Sequence, residues 1–206
     1  MPIRVRDSGL VWDDELRYGY YPAKPDGKYD EAYWRKYQSY DGTEMGRKLT
    51  DFRVALVDRH CPGEPVLDFG IGSGLFVRSR PNTKGYDVNP FGVKWLRENG
   101  LWLDPYDRGA DHVTCWDSLE HIQYPEGLLR KVRKTLFVSI PIFCGPEHVE
   151  RSKHFKRDEH FQYFTEAGLV AWAEGLGFGL VEASGAETAM GREDILTFVF
   201  KRGRVR

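Results

Sequence analysis

The sequence predicts an α/β fold in which a doubly wound, mostly parallel, seven-stranded sheet follows an N-terminal helical cap. Two observations carry this prediction. From about residue 61 onward, short apolar segments with strand character alternate with segments of helical periodicity. The first of these apolar segments runs directly into a glycine-rich turn, at the end of a strand where such sheets bind ligands. Alternation of this kind favours parallel strands joined by right-handed crossovers.

The residues before this alternation predict a lead-in and two helices. Prolines and glycines, including Pro25 and Gly27, predict an irregular lead-in. Tyrosines then recur at helical spacing over residues 29–40. A second helix is expected from Thr43, which can cap its N-terminus, to the stop signal at residues 61–63.

We therefore expect two parts, a lead-in with cap helices over residues 1–60 and one compact domain over residues 61–206. The second part contains helices and strands in alternation. Six of the seven expected strands can be placed, at 65–69, 84–88, 112–116, 136–140, 180–183 and 195–201. The predicted helices are 75–81, 91–98, 126–132 and 166–176.

Charge, cysteine content and hydropathy narrow the class of protein. Lys and Arg total 30 while Asp and Glu total 31, so no strong net field would attract a polyanion. Three widely spaced cysteines without a Cys-x-x-Cys pair suit a reducing compartment. The longest apolar run, residues 136–144, is far too short to span a bilayer, and the N-terminal residues do not resemble a secretory signal. The sequence predicts a cytoplasmic protein that does not enter a membrane.

The most informative segment is Asp68-Phe69-Gly70-Ile71-Gly72-Ser73-Gly74. Glycines at alternate positions let the backbone turn sharply and lie close to a ligand, where a Cβ would clash. A dinucleotide site has Gly-x-Gly-x-x-Gly, whereas the third glycine here comes one residue early. Asp68 also places a carboxylate before the loop, which is unfavourable for a pyrophosphate and suits an ammonium or sulfonium group. The segment therefore favours an aminoacyl cofactor over NAD.

Asp87 closes the second predicted strand, about 20 residues after the glycine loop, where an acid can accept hydrogen bonds from ribose hydroxyls. The structural alternative is a turn or cap residue before the helix at Phe91. Its combination with the glycine loop favours the ribose role.

Three motifs in this order resemble the class I S-adenosylmethionine-dependent methyltransferases. They are the glycine loop, Asp87 and Asp117-Ser118-Leu119-Glu120-His121-Ile122. The last resembles the broad small-molecule branch with a Leu-Glu-His signature after the fourth strand. The resemblance covers about residues 66–200, and the helices before it occupy the place of that family's N-terminal cap. It implies a Rossmann-like domain, S-adenosylmethionine as cofactor and methyl transfer as the reaction.

The resemblance also implies roles for individual residues. The three glycines would carry the loop beneath the methionine moiety, and Asp68 would interact with its amino group. Asp87 would hold the ribose, while Trp116 and Asp117 would border the methionine part and the acceptor pocket. The predicted cofactor-binding residues are Asp68, Gly70, Gly72, Gly74, Asp87, Val88, Trp116 and Asp117.

The sequence departs from the family pattern in two places. The helix after the glycine loop is short, since Pro81 soon follows Leu75. The region of the third strand is compressed, so the residue that reads the adenine is not assigned. Asp104 is a candidate for it, or only the start of a turn at Pro105.

The residues after the fourth strand exclude some acceptor chemistries. Asp117-Ser118-Leu119-Glu120 stands where amino-group methyltransferases of adenine or glutamine resemble one another in an Asn/Asp-Pro-Pro-aromatic motif. The Pro-Cys nucleophile of cytosine C5 enzymes is missing, and Cys115 is expected to be a buried thiol on a core strand. We therefore expect O- or C-methylation in preference to amino-group methylation of bases.

Three histidines are candidates for the general base that a hydroxyl acceptor needs, because histidine titrates near neutral pH. His121 directly follows the fourth strand, whereas His154 and His160 lie in residues 151–165, a predicted loop that would form one wall of the acceptor pocket. Each histidine can instead be a helix cap or a satisfied hydrogen-bonded side chain. No metal site is predicted, because His154, Asp158 and His160 match no standard ligand spacing.

Three further features each leave two interpretations. The basic residues within 151–157 can bind a phosphorylated or carboxylated acceptor, or form a solvated loop balanced by neighbouring acids. The tyrosines of residues 29–40 can stack on a planar ring or simply pack. Residues 191–194 can contact the acceptor or form a plain turn.

The predicted function is an S-adenosylmethionine-dependent methyltransferase with a small-molecule acceptor. One alternative is a cofactor-binding module without methyl transfer, and another is an enzyme that modifies nucleic acid. The intact Asp68, glycine loop and Asp87 argue against the first. The balanced charge and the missing amino-methylation motif argue against the second. The sequence predicts no oligomeric state.

Overall fold

The fold is that of a computed structural model, which describes residues 3–22 and 29–203. Contacts divide the chain into two compact units. Among the described residues, the first unit comprises 3–22, 117–129 and 138–203, and the second comprises 29–116 and 130–137. Both units draw on the part after residue 61, for which the sequence predicts one compact domain. The domain boundary at residue 60 stays a prediction.

In the described residues, helices and strands alternate after residue 61 as the sequence predicts. In chain order the elements are β1 (Ile3–Val5), β2 (Val11–Asp13), β3 (Tyr18–Tyr20), α1 (Glu31–Asp41), α2 (Glu44–His60), β4 (Val66–Phe69), α3 (Leu75–Ser79), β5 (Thr83–Tyr86), α4 (Pro90–Glu98), α5 (Pro105–Arg108), β6 (Ala110–Trp116), α6 (Glu126–Leu129), β7 (Val132–Pro141), α7 (Pro146–Arg151), β8 (Gln162–Phe164), α8 (Glu166–Gly175), β9 (Phe178–Ser184), α9 (Ala186–Ala189) and β10 (Ile195–Arg202). A one-turn 3-10 helix, Leu119–His121, follows β6. No helix in these two described ranges is long and apolar enough to cross a membrane.

The larger sheet contains all six strands that the sequence predicts. Their order is β5-β4-β6-β7-β10-β9. β4 pairs in parallel with both β5 and β6, whereas β9 and β10 pair antiparallel, so the sheet is mixed. Cys115 is fully buried on β6, as predicted. A parallel strand between two neighbours needs apolar side chains on both faces, and all four residues of β4 are buried accordingly.

The expected seventh strand is reduced to a single bridge in the described part of the chain. Gly85 of β5 donates its N–H to Leu101 at 2.9 Å and accepts from the N–H of Leu103 at 3.0 Å, which forms an isolated parallel bridge to Trp102. Pro105 then begins α5 and has no N–H to extend a strand ladder. The prediction of seven strands is corrected to six for this reason.

A second, four-stranded antiparallel sheet occupies the first unit, where the sequence predicts an irregular lead-in. Its order is β1-β2-β3-β8. The prediction is wrong for residues 3–20, while Pro25 and Gly27 lie outside the described residues. Each of these strands has only three residues, and β3 pairs with β8 in the register Gly19–Tyr163. A pairing between such distant segments leaves no local pattern in the sequence.

The two predicted N-terminal helices are both present. Asp30 caps α1 by accepting the N–H of Tyr33, and Thr43 caps α2 by accepting the N–H of Gly46, as predicted. The residue that α1 buries is Trp34, which packs with Ile71, Val77 and Leu96 in the core of the second unit. The tyrosines of α1 contact one another instead, with ring centroids 4.8 Å apart for Tyr33 and Tyr37.

Candidate functional site

The glycine loop after β4 has a backbone that only glycine adopts freely. Gly70, Gly72 and Gly74 have φ values of 81°, 55° and 79°. A Cβ on Gly74 would lie 2.8 Å from the ring of Trp95, so this position excludes a side chain on steric grounds as well. The N–H of Gly70 donates to the carbonyl of Tyr86 at 2.8 Å, which ties the loop to the end of β5. The loop is therefore a fixed turn in the second unit.

Helix α1 lies directly against this loop. The Tyr37 ring stands 3.3 Å from the position of a Cβ on Gly72. Ser73 donates its hydroxyl to one oxygen of Asp41, and Arg78 donates to the other oxygen at 2.6 Å. These contacts were not predicted from the sequence, because the periodicity of α1 gives no sign of a partner 30 residues away.

Asp68 is a buried carboxyl beneath the loop, only 1% exposed. Burial raises the pKa of its carboxyl to about 7, although the hydrogen bond from Thr114 and the charge of Arg53 act to lower it. The Thr114 hydroxyl donates to Asp68 Oδ1 at 2.7 Å. A buried carboxylate with one neutral donor is favourably placed to pair with an ammonium group, because pairing removes the cost of leaving the charge uncompensated.

Asp87 and Val88 follow β5. Burial raises the pKa of the Asp87 carboxyl to about 6, although backbone N–H groups, among them those of Asn89 and Ile71, act to lower it. The N–H of Asn89 donates to Asp87 Oδ1 at 2.7 Å, and Asn89 in turn caps α4 by accepting from Phe91 at 2.9 Å. Asp87 thus has the turn role that the sequence left open, while the cap is Asn89. Its ribose role stays a prediction, as does cofactor contact by Val88, which is 60% exposed.

An aromatic cluster adjoins the ends of β4 and β5, and the sequence analysis missed it. The ring of Tyr86 stacks on Phe69 at a centroid distance of 4.9 Å and contacts Trp102 at 5.1 Å and Tyr106 at 5.8 Å. Asp104 caps α5 by accepting the N–H of Tyr106 at 2.9 Å, so its side chain has the turn role. The cluster could not be read from spacing, because its members come from four separate segments.

Trp116 and Asp117 are consecutive residues at the end of β6. Trp116 is 7% exposed, and its Nε1 has no hydrogen-bond partner among the described residues. Asp117 has a φ of 54°, a left-handed conformation that costs a non-glycine residue about 1–3 kcal/mol. Its N–H donates to Ser139 at 2.8 Å and its Oδ1 accepts from Arg192 at 3.0 Å. The hydrogen bonds hold Asp117 in this strained conformation.

Arg192 links Asp117 to a buried carboxylate that sequence analysis did not identify. The guanidinium also pairs with Glu187, which is fully buried and accepts from the Ser139 hydroxyl at 2.8 Å. Residues 191–194 therefore do more than form a plain turn, because they supply the cation of this network. Contact between these residues and an acceptor stays a prediction.

Two of the three predicted histidines lie together, and Glu120 joins them. The ring centroids of His121 and His160 are 4.5 Å apart and their planes are nearly perpendicular. Burial lowers the pKa of His121 to about 4 and also lowers the pKa of His160. His154 lies apart from them, with its Nε2 3.0 Å from the carbonyl of Glu193. Its hydrogen bond corresponds to the satisfied side chain that the sequence left as the alternative.

Residues 151–165 contain regular secondary structure where the sequence predicts a loop, because residues 162–164 form β8. Three of their aromatic side chains, Phe161, Tyr163 and Phe164, are buried as expected. The N–H of Phe143, just beyond β7, donates to the carbonyl of Phe164 at 2.9 Å, so the segment returns to the carboxyl end of that strand. A role as a wall of the acceptor pocket stays a prediction.

The basic residues of this segment are partly balanced by acids. Lys153 pairs with Glu193 at 2.8 Å, and Lys156 pairs with Glu159 at 3.5 Å. These pairs favour the solvated, charge-balanced interpretation over binding of an anionic acceptor, at least for the two lysines.

The comparisons with known proteins agree with this architecture. A family model described as "Methyltransferase domain" matches residues 33–183. No curated protein matches the chain in a sequence search. Solved structures match by structural similarity, and their low sequence identities mean that this likeness shows the fold alone.

Three of these structures are similar over most of both chains. One is a chain of the complex that contains the Haloferax volcanii Trm112 methyltransferase activator, at 16% identity and a TM-score of 0.61, covering 85% of this chain and 96% of that one. A second is an S-adenosylmethionine-dependent methyltransferase from Clostridium acetobutylicum ATCC 824, at 15% and 0.60, covering 84% and 100%. A third is magnesium protoporphyrin IX methyltransferase from Synechocystis PCC 6803 with bound SAH, at 16% and 0.58, covering 84% and 94%.

The family model covers well over half of the chain and includes the glycine loop, Asp87 and the residues after β6. The chain therefore belongs to the methyltransferase-domain family, which confirms the sequence prediction of an S-adenosylmethionine-dependent methyltransferase.

Proposed function

We propose that the protein transfers a methyl group from S-adenosylmethionine to an oxygen or carbon atom of a small-molecule acceptor. The observation that carries the proposal is the loop of three left-handed glycines between buried Asp68 and the Asp87 turn. We also infer that the chain belongs to the branch with a Leu-Glu-His signature, which is Leu119-Glu120-His121 here. The cytoplasm is the compartment that its cysteine pattern favours.

The residues of the second unit fit this cofactor chemically. Asp68 would pair with the ammonium group, because it is the buried carboxylate next to the loop. Asp87 would accept hydrogen bonds from the ribose hydroxyls with the oxygen that does not hold the Asn89 N–H. The exposed face of Tyr106 and the neighbouring Tyr86 offer a planar surface on which an adenine ring can stack. When bound, the cofactor supplies an electrophilic methyl group on its sulfonium.

The acceptor side would be formed by residues that follow β6. Methyl transfer is a direct displacement, so the chain must align the acceptor atom and exclude water. A hydroxyl acceptor must also lose a proton as its oxygen forms the new bond. His121 and His160 are uncharged at neutral pH, because burial lowers the pKa of both rings, and so they can accept it. His154 is the weaker candidate, since its Nε2 already contacts a carbonyl oxygen.

A fractionated acceptor screen tests the proposal. The full chain is incubated with methyl-labelled S-adenosylmethionine and, separately, a small-metabolite extract, total RNA and genomic DNA. We expect label in the metabolite fraction together with stoichiometric S-adenosylhomocysteine, and no transfer by Asp68→Asn. Label confined to RNA or DNA would replace the small-molecule proposal with nucleic-acid modification. Cofactor binding without S-adenosylhomocysteine in any fraction would favour a binding module.

A further inference from the structure

A side-chain cluster in the first unit consists of Glu120, His121 and His160. Methyl transfer alone does not explain why these three side chains lie together. Glu120 and His121 are neighbours in the 3-10 helix after β6, and His160 lies just before β8. One potential ligand atom from each residue lies within 4.8 Å of the other two. No second group of three such side chains lies this close within residues 3–22 and 29–203.

Backbone hydrogen bonds hold the two segments of the cluster together. The N–H of Phe161 donates to the carbonyl of Glu120 at 2.8 Å. The side-chain amide of Gln162 adds two bonds, because its Nε2 donates to the backbone carbonyls of Ile122 at 3.2 Å and Gln123 at 3.0 Å. The residue after His160 is thus fixed against the residues around His121, and this arrangement positions the three side chains before any ligand is bound.

Each of the three residues has a buried polar atom without a hydrogen-bond partner in the described part of the chain. These atoms are Glu120 Oε2, His121 Nδ1 and His160 Nδ1. Glu120 and His160 are each only 2% exposed, so water does not freely satisfy them. A buried polar group left without a partner costs about 1–3 kcal/mol, and three such atoms in one cluster therefore indicate a missing common partner.

The unpartnered atom of each imidazole is its Nδ1, which is buried and has no hydrogen-bond partner in residues 3–22 and 29–203. A neutral imidazole whose lone pair lies on Nδ1 can bind a metal ion through that atom.

We propose that Glu120, His121 and His160 bind one divalent first-row transition-metal ion, with Zn²⁺ as the representative. Two neutral imidazoles and a carboxylate are the ligand set of catalytic zinc sites that keep an open coordination position. Metal–ligand bonds of about 2.0–2.2 Å separate adjacent ligand atoms by roughly 3–4 Å, so only small side-chain rotations are needed to close the set.

The charges around the cluster are mixed. Lys156 and Arg192 place positive charge near Glu120, whereas Asp117 places negative charge near it. Glu159 places negative charge near His121. The cation would compensate the negative charge of the buried Glu120 carboxylate. His121 is the partly exposed member, and it gives the ion a route from solvent.

The metal would also give the proposed methyl transfer a defined acceptor class. An open coordination position would hold an acceptor hydroxyl or carboxylate oxygen and lower its pKa, so its proton would pass to solvent and not to the imidazoles, whose lone pairs the ion would occupy. This second part rests on the proposed function, whereas metal binding does not. The two can therefore fail separately.

Metal titration of the full chain tests the site without methyl transfer. The protein is treated with chelator, exchanged into buffer and titrated with Zn²⁺ by calorimetry and with Co²⁺ by visible absorption. We expect one equivalent to bind, with Co²⁺ bands typical of a nitrogen- and oxygen-ligated site. His160→Ala and Glu120→Gln should each weaken Zn²⁺ binding at least tenfold, since loss of even an outer-shell partner costs about 10–100-fold.

His154→Ala is the matched control, because His154 lies in the same segment but outside the cluster. It should leave the Zn²⁺ affinity within about twofold of the wild type, well short of the loss expected for a ligand. If circular dichroism shows that His160→Ala does not fold, the Zn²⁺ affinity of the nearly isosteric Glu120→Gln tests the site instead. Absence of stoichiometric Zn²⁺ and Co²⁺ binding by the folded wild type would overturn the site. Equal losses in His154→Ala and Glu120→Gln would do the same.

Discussion

Asp68 and Asp87 are both buried carboxyls of the second unit, but their surroundings differ. Asp68 accepts one side-chain hydrogen bond, from Thr114, whereas Asp87 accepts backbone N–H groups and so supports the turn before α4. A substitution of Asp87 therefore affects a turn as well as the proposed contact with the ribose. The two effects can be separated by comparison with Asp104, another aspartate that accepts an N–H at the start of a helix.

We expect Asp87→Ala to lower the affinity for S-adenosylmethionine at least tenfold. The reason is that each ribose hydroxyl left without its acceptor in a closed site costs roughly 1–3 kcal/mol. Isothermal titration measures the dissociation constant, and Asp104→Ala is the control, expected to change it less than about threefold if it removes only a helix cap. An unchanged dissociation constant for Asp87→Ala would limit this residue to its turn role.

The raised pKa of Asp68 predicts a pH-dependent affinity for the cofactor. Burial raises this pKa to about 7, so the carboxyl is ionised above that pH and protonated below it. Only the ionised form pairs with an ammonium, and the dissociation constant should therefore rise roughly five- to tenfold from pH 7.5 to pH 6.0. Asp68→Asn should bind more weakly and show a nearly flat profile over that window. A wild-type constant that does not change with pH would contradict the ammonium role.

The histidine cluster predicts a clear division between cofactor binding and turnover. His121→Ala and His160→Ala should leave the S-adenosylmethionine dissociation constant unchanged while methyl transfer falls by about 10²–10⁴-fold. His154→Ala should retain activity within about threefold, well short of the loss expected for a general base, since its ring contacts the Glu193 carbonyl outside the cluster. Steady-state rates with a saturating acceptor give the answer. Losses below threefold in both His121→Ala and His160→Ala would remove these residues from the chemistry.

Individual residues were predictable where a local pattern carries the chemistry. The glycine loop and Asp68 are recognisable because a strand runs directly into a turn with glycines at alternate positions. The grouping of Glu120 with His121 and His160 was not predictable, since it depends on backbone pairing between segments 40 residues apart. Spacing along the chain relates His160 only to His154 and Asp158.

At the scale of elements, the small antiparallel sheet connects distant parts of the first unit. Thr165, the N-cap of α8, donates its backbone N–H to Arg17 at 3.1 Å. Gly168 in the same helix lies so close that a Cβ there would stand 2.2 Å from the Arg17 carbonyl oxygen. The start of α8 is therefore packed directly against the turn that joins β2 and β3.

Gly168→Ala should reduce the free energy of unfolding by about 1–3 kcal/mol or more, because the added methyl group overpacks this contact. Gly175→Ala in the same helix is the matched control, since a Cβ there meets no atom within 4 Å. It should be neutral or stabilise by up to about 1 kcal/mol through helix propensity. Urea unfolding of both variants measures the difference. Equal stability of the two would show that the turn that joins β2 and β3 does not pack on α8.

An element is easier to predict from the sequence when the interactions that form it join residues close together along the chain. All six strands of the larger sheet were predicted, because buried parallel strands are short apolar runs with clear breakers between them. The strands β1 to β3 were missed, since three-residue segments with exposed positions carry too little pattern. The seventh strand was expected from the family pattern, and Pro105 together with the short bridge at Trp102 explains why it is not formed.

At the scale of the whole molecule, the sequence predicted the family before the fold was known, because three motifs occur in a fixed order. The family match over residues 33–183 agrees with that order. The acceptor was not predictable in the same way. The acceptor residues that we propose come from the segments after β6 and β7, and their chemistry depends on which side chains the tertiary fold brings together.

The central claim is that the buried Asp68 and the glycine loop select S-adenosylmethionine over a dinucleotide. Parallel isothermal titrations of the full chain with S-adenosylmethionine and with NAD test it most directly. We expect saturable one-to-one binding of S-adenosylmethionine and weaker or undetectable binding of NAD, because the carboxylate attracts an ammonium and repels a pyrophosphate. Tighter binding of NAD than of S-adenosylmethionine would contradict it.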